Sequence, residues 1–157
     1  MQRFFVFCLT ASLLSVLPAP LQAQVESEYL HWDAGALDAL GDALKETLEG
    51  TDRGVAVGSL LAPSESRHHY LPIVRRTRSG APEIHANQTD VMLILEGSGT
   101  VVVGGEPMDS PAQGIRGGKR FRVVPGDIVN IPFGTWHQTV LEPGESFTAV
   151  VIKVVEE

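Results

Sequence analysis

The sequence has a single cysteine among 157 residues, at position 8. Beyond that point no disulfide can form and no thiolate is on offer, which excludes a cysteine nucleophile and a thiolate zinc cage. Positive charge is scarce too: 12 Lys and Arg face 19 Asp and Glu, for a net charge of −7. That balance opposes a phosphate backbone or an anionic lipid surface, so no nucleic-acid partner is expected. Long apolar runs are missing. The stretch from Phe4 to Leu17 covers 14 residues and runs into Pro18 and Pro20, short of the roughly 20 that a spanning helix needs. No Gly-x-Ser-x-Gly elbow, P-loop or dinucleotide glycine fingerprint occurs.

That apolar stretch has a different reading. Met1-Gln2-Arg3 carries one positive charge, the run follows, and Pro18-Ala19-Pro20-Leu21-Gln22-Ala23 ends in a small residue. These are the three parts of a secretory signal, residues 1–23, with cleavage expected after Ala23. The mature chain would be secreted or periplasmic, free of Cys8 and without membrane attachment. It would have 134 residues, obtained as 157 less 23, the size of one domain.

All 16 Gly and 8 of the 10 Pro lie after residue 23, a density of turn-formers that predicts many short strands. Residues 24–53 form a separate helical segment. Within it Leu30, Leu37, Leu40, Leu44 and Leu48 recur at helical spacing from about Ser27 to Leu48, with Gly50 as a stop. Residues 54–157 are the β part, with strands expected at 55–61, 70–78, 91–95, 100–103, 121–124, 128–131, 136–141 and 147–155. Such a series suggests an all-β jelly-roll barrel whose closure removes free edges. The gap from Gly104 to Arg120 is expected to be a loop.

Glu83 and His85 are two apart, so in an extended segment their side chains leave the same face. After a turn through Ala86-Asn87-Gln88-Thr89, Asp90 opens a returning strand, with Met92 and Ile94 on its face as apolar wall. Pro132-Phe133-Gly134-Thr135 delivers His137 into a later strand, with Thr139 and Leu141 beside it. Two imidazoles with one or two carboxylates suit a borderline divalent ion such as Fe, Mn, Ni, Cu or Zn. Arg76 and Arg78 fall on one strand face, where a guanidinium can clamp a substrate carboxylate. Arg75 points the other way.

At these residues the sequence resembles the cupin superfamily. The family's first motif is G-x5-H-x-H-x(3,4)-E-x6-G, and Glu83-x-His85-x4-Asp90-x6-Gly97 fits it from the first ligand onward, with Glu for the leading His and Asp for Glu. The second is G-x5-P-x-G-x2-H-x3-N, and Gly126-x5-Pro132-x-Gly134-x2-His137 matches it up to Leu141, which stands for Asn. The first motif is degenerate and the second nearly intact, in what resembles a single-domain cupin, half of a bicupin. The resemblance implies a double-stranded β-helix barrel with a divalent transition metal held by Glu83, His85, Asp90 and His137. It further implies a metal-dependent enzyme (an oxygenase, lyase or isomerase) acting on a small oxygen-rich molecule. The alternative is a cup that binds a small molecule without catalysis. A homodimer is expected because strand 147–155 is apolar on both faces and the helix needs a docking surface.

Overall fold

The computed structural model describes residues 30–65, 68–110 and 113–156. The expected leader at 1–23 and the first residues of the expected helix lie outside these. Helix α1 is Ala34–Leu48, capped by Asp33, whose carboxylate accepts from the Ala36 N–H at 2.8 Å. It therefore starts later than the leucine spacing predicts: Leu30 to Asp33 are not helical, because an Asp that satisfies a free backbone N–H makes a better first turn than a continued apolar stripe. Leu40, Leu44 and Leu48 are buried, as the spacing required.

Ten strands follow: β1 Val55–Leu61, β2 His69–Arg76, β3 Gln88–Gly97, β4 Gly99–Val103, β5 Glu106–Pro107, β6 Ile115–Arg116, β7 Lys119–Val123, β8 Ile128–Ile131, β9 His137–Val140 and β10 Phe147–Val155. A five-stranded antiparallel sheet runs in the order β1-β2-β10-β3-β8, and a three-stranded sheet in the order β7-β4-β9. The loop expected from Gly104 to Arg120 is corrected: β5 and β6 pair there as a small hairpin and β7 begins at Lys119. Gly105 makes that hairpin possible. It sits at φ +77° with the Arg116 carbonyl where a Cβ would go, a place only glycine tolerates.

Strand β10 explains the layers. Phe147, Ala149 and Val151 face inward, in the core with Met92, Ile94, Val101, Val123 and Ile131. Thr148 and Val150 face outward, opposite Arg75 and Ile73 of β2, and this outer face receives α1. Gly58 lets the helix close in: a Cβ there would lie 3.1 Å from Ile73 and 3.4 Å from Leu40. Lys45 of α1 then reaches Glu96 at 3.1 Å, and Glu96 meets Arg75 at 2.9 Å. The two features that pointed to a dimer, a strand apolar on both faces and a helix in need of a surface, are thus satisfied within one chain.

Candidate metal centre

The segment from Glu83 to His85 does not join a hairpin ladder with β3. Glu83 instead forms an isolated antiparallel bridge to His137, while β3 lies between β10 and β8. The Gly134 N–H donates to the His85 carbonyl at 2.7 Å, so the turn before β9 pins the same segment a second time. Both histidines are brought together by these main-chain bonds, their ring centroids 5.1 Å apart and the rings tilted by 57°. Glu83, His85 and His137 present ligand atoms that all lie within 4.8 Å of one another.

The hydrogen-bond partners of each imidazole orient its ring. Nδ1 of His137 is 3.1 Å from the Thr135 carbonyl, which can only accept, so Nδ1 donates there and Nε2 is the ring nitrogen turned toward Asp90. Nε2 of His85 is 3.0 Å from the Lys153 ammonium, which can only donate. Burial first, and then the Lys153 charge, hold the His85 pKa below its ordinary value. His85 presents Nε2 to a donor and His137 turns Nε2 toward Asp90, with the Glu83 carboxylate beside them. This is a set that fits a borderline divalent ion.

Asp90 is buried, with both carboxylate oxygens taken by Lys153 at 2.8 and 2.7 Å. Its Oδ2 lies 3.4 Å from Nε2 of His85 and 3.8 Å from Nε2 of His137. Arg76 donates to Glu83 at 3.0 Å. Arg76, Glu83, Asp90 and His137 border a cavity of about 310 Å3 that Tyr70, Met92, Thr139, Phe147 and Lys153 also help to line.

No protein-family model and no curated relative matches the sequence. Solved structures do. The polyketide cyclase RemF from Streptomyces resistomycificus is 24% identical with a TM-score of 0.50, covering 66% of this chain and 67% of that one. A cupin-2 domain from Rhodospirillum rubrum is 21% identical at TM-score 0.51, covering 67% and 62%. A recombinant oxalate oxidase in complex with glycolate is 22% identical at TM-score 0.51, covering 69% and 54%.

The chain has the cupin fold. The match spans less than two thirds of the cupin-2 domain and about half of the oxalate oxidase, so it speaks for the barrel alone. In this cupin barrel the sequence-derived residues sort into three groups. Glu83, His85 and His137 converge, with Asp90 against both imidazoles but held by Lys153. Met92, Thr139 and Arg76 line the cavity.

Ile94, Leu141 and Arg78 are corrected. Ile94 and Leu141 are packed in the core cluster with Phe147 and do not border the cavity. Leu141 lies just past the end of β9 at Val140, and its side chain packs over Gly99. The expectation for Arg78 rested on a strand running to residue 78, whereas β2 stops at Arg76. Arg78 is left exposed and donates to the Asp52 carbonyl at 2.9 Å. Sequence reasoning missed Lys153 and Tyr70. Lys153 had a signal, since it continues the inward parity of Phe147, Ala149 and Val151 on β10.

Proposed function

We propose that this protein is an exported, metal-dependent cupin enzyme, an oxygenase, lyase or isomerase acting on a small, oxygen-rich and anionic molecule. One observation carries the reading: Glu83 and His85, with His137 from a distant part of the chain, place ligand atoms within 4.8 Å of one another, beside a cavity of about 310 Å3. A bound divalent ion would supply Lewis acidity and open coordination positions there. The chain's own groups do the rest. The Arg76 and Lys153 cations pair with the Glu83 and Asp90 carboxylates, so an added divalent ion leaves the pocket positive and favours an anionic occupant. Arg76 lies on the wall where a carboxylate can be clamped. Val74, Met92, Phe147 and Val151 form the apolar wall, which strengthens each polar contact inside by keeping water out. Asp90 stays beside the two imidazoles with its charge met by Lys153.

Elemental analysis of the purified protein tests this reading directly. About one equivalent of transition metal is expected in the native form and a loss in the H85A and H137A variants; a metal-free native protein ends it. A second reading, a binding cup without catalysis, is favoured by the Lys153 ammonium, which balances the buried carboxylate with no ion required. Ligand-induced stabilisation that persists with a chelator present would select it.

The three-part leader at 1–23 supports export, checked by the N-terminal sequence of the mature protein. Among the described strands β1 lies at a sheet edge, with Val55 and Val57 exposed, and we propose homodimerisation there. A sedimentation experiment giving a monomer at micromolar concentration would contradict it.

A further inference from the structure

The donor cluster already contains a cation. Three hydrogen bonds leave the Lys153 ammonium, two to the oxygens of Asp90 and one to Nε2 of His85, all between 2.7 and 3.0 Å. An ammonium has three donors, so this one is saturated by the very groups that a fourth-ligand carboxylate and an imidazole would offer to an ion. The sheet register fixes the arrangement. Lys153 of β10 stands directly opposite Asp90 of β3, inside the five-stranded sheet, so the two backbones cannot separate without breaking the ladder. Only rotation of the lysine's four-carbon stem can withdraw the charge, and the cavity beside it, which Lys153 lines, has room to take it.

We propose that Lys153 is a resident counter-cation of the metal centre. It holds Asp90 out of the coordination set and yields Nε2 of His85 only when an ion displaces it. The ion is therefore held by Glu83, His85 and His137 alone, at an affinity lowered by the competition. The inference rests on the metal-binding reading above. The chemistry is one of exclusion: a single imidazole lone pair cannot serve an ammonium and a metal at once, and two cations in a half-buried pocket repel. The lysine is a positioning residue, since its action on the ion runs through Asp90 and His85.

Cobalt(II) added to the metal-free protein tests this, because its visible spectrum reports ligand number as well as occupancy. In K153M, Asp90 is released as a fourth ligand, so cobalt is expected to bind at least tenfold more tightly than in the wild type, with an altered spectrum. Adding D90N to K153M should remove most of that gain and restore the wild-type spectrum. K153R, which returns a cation opposite Asp90, should stay near wild type. If the wild type takes one equivalent of cobalt and K153M binds it no more tightly, the proposal is overturned while the metal reading stands. If neither binds cobalt, both fall. Should K153M fail to fold with Asp90 unpaired, K153M/D90N decides. Affinity at or above wild type is then expected, and a tenfold loss would make Asp90 a ligand and overturn the proposal.

Discussion

Glu83 and His137 exchange both backbone hydrogen bonds: the Glu83 N–H donates to the His137 carbonyl at 2.8 Å, and the His137 N–H donates to the Glu83 carbonyl at 2.9 Å. Two candidate ligands more than fifty positions apart in the chain are thereby held side by side by main chain, not by their side chains. Placement and chemistry are therefore separable.

Glu83→Gln should exploit that separation. The bridge survives, because the amide side chain changes nothing in the backbone, and its carbonyl can still accept from Arg76, so the unfolding free energy should fall by only about 1 kcal/mol. Metal affinity should fall by ~10-fold or more with the loss of a charged donor. Urea unfolding and a metal titration on the same preparation check both halves.

Arg76→Ala removes the guanidinium that meets Glu83 at 3.0 Å and faces the cavity. Charge-assisted hydrogen bonds are worth about 1.5–3 kcal/mol, so binding of a short dicarboxylate such as malonate should weaken by roughly 10- to 100-fold. Calorimetric titration reads this. Unchanged affinity would remove Arg76 from substrate binding.

The His85 pKa lies below its ordinary value through burial and the Lys153 charge, so the sign of its pH effect is determined. As pH falls through about 6.5, the unfolded chain takes up a proton that the folded chain still refuses. His85 thus lowers stability on acidification from that point, and its contribution levels off once the folded pKa is passed. Urea unfolding at pH 7.5, 6 and 5 should show this loss in the wild type and a smaller one in H85Q.

Leu44→Ala tests the docking of α1. Leu44 is buried and its Cδ2 would lie 3.7 Å from a Cβ at Gly58, so truncation leaves a hole between helix and sheet. A loss of about 2–5 kcal/mol is expected, measured by chemical denaturation. A loss well under 1 kcal/mol would mean that α1 contributes little to holding the sheet.

Where one face or one motif decided the matter, the chain could be read directly. The alternation in Val55–Leu61, the run Phe147–Val155 and the Gly126, Pro132, Gly134 frame before His137 are found where the spacing places them. Asp33 shows what periodicity cannot supply: a single side-chain bond to the Ala36 N–H outweighs an apolar stripe in deciding where a helix begins. Lys153 shows another limit. Its parity put it inside, but its partner is selected by the β10–β3 register, a long-range pairing with no local signature. The bridge between Glu83 and His137 is of the same kind, and it overrode the simpler hairpin expected between Glu83 and Asp90.

Met92, Phe147 and Val151 belong at once to the packed interior and to the wall of the hollow. Trimming any of them to admit a bulkier guest withdraws atoms from the packing that keeps the barrel shut, so new specificity on that side comes at the expense of folding. The opposite rim, formed by Val57, Tyr70 and Pro72, lies outside the packed cluster. Change there is cheap, and it is along β1 and β2 that related chains with different appetites are expected to diverge.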